Sequence, residues 1–161
     1  AYINLVDKDQ VAVVDTKSMK VLAHWSTAPG GSPVGMSMDT VHDRLFIGCR
    51  RPQKLIVMDA QDGKVLADLP IGSGVDATKF DGDIFASCRD GTLTVARETA
   101  PNNYEVVQTV KTPEGARTMG VDPTTHNLYL PTAELLPSEG RVRPAIKPGS
   151  FMIIEVGRAG N

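Results

Sequence analysis

The sequence predicts an all-β fold made of about four copies of one small antiparallel sheet. Three observations carry that prediction. A stretch recurs: Val13-Val-Asp-Thr-Lys-Ser-Met-Lys-Val-Leu-Ala-His24 aligns with Val57-Met-Asp-Ala-Gln-Asp-Gly-Lys-Val-Leu-Ala-Asp68, setting Asp15 on Asp59. Apolar and polar residues alternate over runs of strand length, which is the period of a half-buried strand. Fifteen Gly and eleven Pro punctuate the chain, too often to leave the uninterrupted i, i+3, i+4, i+7 spacing of a long helix.

The first unit shows three strands, at about 2–6, 10–15 and 20–26, by alternation and turn punctuation. The second is complete, at about 34–39, 44–49, 55–59 and 65–70, with Asp62-Gly63 as the hairpin turn before its last strand. The third reads 75–80, 83–88, 92–97 and roughly 104–110, with Asp81-Gly82-Asp83 and Asp90-Gly91 supplying its turns. The fourth shows 117–122, 127–132 and roughly 150–156, with Asp122-Pro123 opening its first turn. Two further landmarks repeat. Arg44-Leu-Phe-Ile-Gly-Cys49 matches Asp83-Ile-Phe-Ala-Ser-Cys88 and Asn127-Leu-Tyr-Leu-Pro-Thr132, and Met36-Ser-Met-Asp39 matches Met119-Gly-Val-Asp122.

The mean period is about 42 residues, within the range of β-propeller blades. Labelling the strands of a blade A to D from the axis outward, the first unit lacks A and the last lacks D. The expected units are 1–31, 32–72, 73–115 and 116–161, a partial arc of about four blades. The segment Leu135–Ser150 breaks the pattern. Its Pro137, Pro144 and Pro148 each remove a backbone donor, so it reads as a long loop between strands B and C. A loop of that length is either functional or disordered; the first reading makes it a surface arm that packs on a neighbour or partner.

The net charge of −2 gives no reason to expect nucleic acid or an anionic membrane as partner, and aromatic residues at 5% are too sparse for a base-stacking platform. No apolar run approaches bilayer length, and no basic segment leads into an apolar one as in a signal peptide. Cys49 and Cys88 make no disulfide framework and have no Cys or His at metal-ligand spacing, so they read as small buried residues. His42 and His126 fall in equivalent A–B turns and His24 on an outer strand, which favours turn and surface roles over ligation. Trp25 reads as inter-blade packing. Gly72-Ser-Gly74 is too short for a dinucleotide fingerprint, and no Gly-x-Ser-x-Gly elbow is present. No cofactor and no metal are therefore expected.

Val11-Ala-Val-Val-Asp15, the Asp-x-x-x-x-Lys-Val-Leu-Ala stretches, and Met-x-x-Asp followed by Leu-Phe-Ile or Leu-Tyr-Leu resemble YVTN/YncE-type propeller repeats, a WD40-like architecture. Pro148-Gly-Ser-Phe-Met-Ile-Ile-Glu-Val-Gly-Arg158 resembles the closing strand of bacterial YncE-like proteins. The resemblance covers essentially the whole chain and implies a seven-bladed parent about twice as long, of which this is the C-terminal half. It also implies a periplasmic or secreted location, and no particular activity.

Propeller blades present the D–A and B–C loops on one face, at the mouth of the central channel. Arg50, Arg51, Arg89 and Arg117 map there, with Asp76 and Glu134. In the functional reading Arg50, Arg89 and Arg117 converge on an anion, because guanidinium forks suit carboxylate or phosphate. In the structural reading they pair with Asp76 and Glu134, or are solvated. An open arc would expose an apolar sheet face at each end, so the expected partners are a second copy closing a homodimeric ring, or the missing propeller half. The function expected is a non-catalytic module that binds a protein or small anionic ligand. The alternative is a hydrolase or lactonase-like enzyme with its site at the channel mouth.

Overall fold

The computed structural model describes residues 1–137 and 144–157. All fourteen described elements are strands, arranged as four antiparallel meanders. The first sheet holds β1 (Tyr2–Leu5), β2 (Gln10–Asp15) and β3 (Lys20–Ser26). The second holds β4 (Pro33–Asp39), β5 (Arg44–Arg50), β6 (Gln53–Asp59) and β7 (Val65–Pro70). The third holds β8 (Val75–Asp81), β9 (Asp83–Cys88), β10 (Thr92–Ala100) and β11 (Asn103–Lys111). The fourth holds β12 (Gly120–Val121), β13 (Leu128–Thr132) and β14 (Met152–Val156).

One turn explains why the repeated aspartates sit where they do. Asp15, Asp39 and Asp59 each end a strand, and Asp122 directly follows β12. Each carboxylate accepts the N–H two residues on, from Lys17, Val41, Gln61 and Thr124 at 2.8–2.9 Å. In three of them the side chain three residues on also bonds the Asp: Ser18, His42 and Thr125. The fourth residue on then takes a positive φ, at Met19, Asp43, Gly63 and His126. The aspartate thus replaces backbone hydrogen bonds that a tight turn cannot make for itself. These bonds hold the Asp15 and Asp122 carboxyls below their ordinary value, Ser18 leading for the first and the Thr124 N–H for the second. For Asp39 burial is the largest influence and pushes upward, but His42 and the Val41 N–H outweigh it and the net shift is downward.

A second regularity accounts for the Lys-Val-Leu-Ala motif. The outer-strand pairing skips one residue after Val13, Val57 and Val95, the same place in three sheets. Such a bulge turns its extra residue out of the ladder and increases local twist. The skipped residues are Leu22, Leu66 and Val107, so Leu22 and Val107 are exposed although apolar.

The core lies between sheets. Val11 packs with Leu45, Ile47, Ile56 and Met58; Phe46, Leu55 and Val57 pack with Ile84, Ala96 and Tyr104; Phe85, Leu93 and Val95 pack with Leu128 and Leu130. Trp25 reaches from β3 to the Gly63 turn of the second sheet, where a Cβ on that glycine would collide with the indole. Each sheet therefore has a face turned back and a face turned forward along the chain. By register, Ile3, Ile47, Ala86 and Leu130 share one backward-facing position. The last three are 0% exposed and Ile3 is 48% exposed. Val11, Leu55, Leu93 and Ile153 share one forward-facing position, 0% exposed in the first three and 58% in Ile153.

Two sequence expectations are refined. The strand expected at 117–122 is confined to Gly120–Val121, because Ala116 and Arg117 bond back to Pro113 and Gly115 in a turn. The segment expected as loop over 135–150 is paired at its base. Leu135 bridges Ile146, with Leu136 N–H to Ala145 O at 2.8 Å and Lys147 N–H to Glu134 O at 2.9 Å. Positions 138–143 of that segment lie outside the described residues.

Candidate functional site

The loops at one end of the sheets are tied to one another by backbone bonds. Arg50 and Arg51 donate their N–H groups to Gly31 O, Arg89 N–H donates to Gly74 O, and Gly115 N–H donates to Arg89 O. This lattice fixes where the four arginines start, and their side chains then diverge. Arg50 is half-buried and fully engaged: its Nε donates to Val75 O and its Nη2 to Asp76 Oδ1, both at 2.8 Å. Asp76 also accepts from Thr118 Oγ1 at 3.3 Å and lies 3.9 Å from Arg117 Nε. It therefore links the second sheet to the fourth across the first strand of the third. Arg51 is exposed. Glu134 is not paired with an arginine among the described residues; Lys147 Nζ donates to it at 2.6 Å across the base of the arm.

Arg89 and Arg117 come together. Both line a cleft of about 700 Å³, with Gly115, Thr132 and the apolar Pro131, Ala133, Leu135, Pro144, Ile146 and Phe151. Ser87 Oγ bonds Arg117 O and pins that backbone from below. Among the described residues no carboxylate pairs with Arg89. The lining of the cleft thus combines two cations with a set of apolar side chains.

The remaining reactive side chains lie elsewhere. Cys49 and Cys88 immediately precede Arg50 and Arg89 but are buried, and burial raises their thiols to about 11 and about 12. They are neutral thiols at physiological pH. His42 and His126 sit at the opposite end of the sheets, each with Nδ1 2.7 Å from a carboxylate, Asp39 and Asp81 respectively. Their turns are equivalent but their positions are not: His42 matches Thr125, and His126 matches Asp43 at the positive-φ site. Among the described residues no three of His, Cys, Asp or Glu gather as metal ligands.

Hydrazine synthase of Kuenenia stuttgartiensis superposes with a TM-score of 0.73 at 14% identity, over 99% of this chain and 47% of that one. The WD40 domain of Pan2 from Neurospora crassa superposes at 0.65 and 11% identity, over 91% of this chain and 43% of that one. The β-propeller domain of Cps50 (Swd1) from Myceliophteria thermophila gives 0.57 and 16%, over 83% and 48%. This chain is part of a β-propeller. It spans less than half the length of each of these structures, and identities this low carry the architecture alone. No protein-family model matches the sequence, and no curated protein does.

With the sheets recognised as blades, the cleft has a simple origin. Counted on from the paired residues, Arg50, Arg89 and Ala133 fall at one position at the end of strand B, and Val34, Asp76 and Arg117 correspond on the strand-A side, Arg117 in the turn that leads into β12. The junction of blades two and three sets Arg50 against Asp76, opposite charges that pair. The junction of blades three and four sets Arg89 beside Arg117, like charges that cannot. Sequence reasoning named these cations but grouped Arg50 with them. It missed Phe151, Leu135 and Ile146, whose apolar character at the head of a strand and the foot of a proline-rich loop was the available clue.

Proposed function

We propose that this chain is a non-catalytic propeller module of YncE-like type that binds its ligand at the channel mouth and works as part of a closed ring. The observation that supports the ring is the exposure of Ile3 and Ile153, at two repeat positions that every covered blade buries completely. Exposed apolar surface of this kind marks an association face. The first blade leaves a backward face open and the last a forward face, and Leu130 on Leu93 is how such faces meet inside the arc.

A second copy fits both ends at once, because each copy carries one face of each kind and a two-fold arrangement pairs them twice. Two copies also span about the length of the propellers that this chain half covers. The alternative source is the missing propeller half. Light scattering after size exclusion separates them: at tens of micromolar the chain should run at twice its 17.2 kDa mass, and Ile153→Asp should return it to one copy. A single-copy mass for the unaltered chain throughout overturns the two-copy ring.

A further inference from the structure

We propose that the cleft between Arg89, Arg117 and the base of the proline-rich arm binds a carboxylate carried on an apolar body. This deepens the reading of the chain as a ligand-binding module and rests on it. The argument starts from charge. At the junction of blades two and three a strand-B arginine meets an aspartate on the next strand A: Arg50 meets Asp76 at 2.8 Å. At the following junction the aspartate position is Arg117. The 3.9 Å separation of Arg117 Nε from Asp76 Oδ2 is beyond hydrogen-bond range, and Asp76 already bonds Arg50 and Thr118. Arg89 has no carboxylate partner among the described residues. The cleft therefore holds two guanidiniums, Arg89 and Arg117, without a hydrogen-bonded carboxylate of their own among the described residues, and a planar guanidinium takes a carboxylate in a two-pronged bond.

The apolar part of the lining defines the rest of the ligand. Leu135, Ile146 and Phe151 are all exposed, and they gather with Pro131 and Pro144 on one cleft. Apolar groups arranged around a cavity of about 700 Å³ are the usual lining of a small-molecule pocket, with a few polar groups setting orientation. The Leu135–Ile146 bridge and the Lys147–Glu134 pair hold this wall in place. They also occupy Glu134, so this acid at the arm's base does not compete for the arginines. An inorganic oxyanion would use the cations and leave the apolar wall wet. A neutral apolar molecule would bury the wall and leave two guanidiniums without an acceptor.

Calorimetric titration of the whole chain tests this with three probes: 3-phenylpropionate, its neutral amide 3-phenylpropanamide, and inorganic phosphate. The carboxylate should bind, with the amide and phosphate each weaker by about tenfold or more. Arg89→Gln and Phe151→Ala should each weaken the carboxylate by a similar factor. Both residues are exposed, so both variants should keep the parent's melting temperature. Arg51→Gln, which removes an exposed charge outside the cleft, should leave binding unchanged. The proposal is overturned if the carboxylate does not bind at millimolar concentration, if the amide matches it, if phosphate binds more tightly, if Arg89→Gln or Phe151→Ala retains full affinity, or if Arg51→Gln weakens binding as much as they do. Mass measured on the same samples keeps the two readings apart: lost binding with a two-copy mass rejects the cleft ligand alone, and retained binding at a one-copy mass rejects the ring alone.

Discussion

Leu55 and Ile153 occupy the same place in the blade repeat, yet Leu55→Ala and Ile153→Ala should differ greatly in cost. Leu55 is fully enclosed between the second and third blades with Phe46, Val57 and Ile84. Truncating it removes three buried carbons and leaves a cavity that two facing sheets cannot close. The expected loss is about 3 kcal/mol, within the roughly 2–5 kcal/mol range of such changes. For a chain of this size that corresponds to a fall in Tm of about 6–12 °C. Ile153 is 58% exposed, so the same change removes little surface that folding had buried and should cost less than about 1 kcal/mol. Circular-dichroism melts and urea titrations at high dilution measure both. The gap should narrow as concentration rises and a second copy covers Ile153. A Leu55→Ala loss below about 1 kcal/mol would refute the sheet-on-sheet packing on which the reasoning depends.

The other predictions concern turns and thiols. Gly63→Ala forces an L-residue to a φ of +78° and drives its methyl group into Trp25, so it should cost more than about 1 kcal/mol and alter tryptophan fluorescence; a silent substitution would contradict the turn geometry. Asp39 has a folded-state value below its ordinary 3.8, so its stabilisation is complete above that pH and is lost as pH falls through the lower folded value. Asp39→Asn should therefore destabilise at pH 7 and flatten the acid limb of the stability profile, and an unchanged limb would count against the capping role. Cys49 and Cys88, raised to about 11 and about 12, should resist a thiol reagent at pH 8 in the folded chain and react after unfolding. Rapid labelling of the native protein would show that the strand ends are open.

Much of the architecture was legible because the repeat is written in residues with a local physical duty. Asp15, Asp39, Asp59 and Asp122 mark turn starts, and alternation marks the strands between them. The shortened β12 was not legible, because the turn at Gly115–Arg117 depends on backbone bonds that leave no mark in an alternating pattern. The paired base of the arm was masked by its prolines, which remove donors at 137, 144 and 148 but leave those of Leu136 and Lys147 free to pair. At the mouth, residue types were readable and partners were not. Whether Arg50 points at a ligand or at Asp76 depends on the neighbouring blade, and one substitution at the Asp76 position, to Arg117, changes an ion pair into a cationic cleft.

The claim that open blade faces of opposite kind fit each other is tested most directly by directed cross-linking. One preparation carries Ile3→Cys and another Ile153→Cys, with the two native thiols buried. Mixed and oxidised, they should give a disulfide-linked pair of twice the chain mass that neither preparation forms alone. Cross-linking within each preparation but not between them, or none at all, would contradict the account.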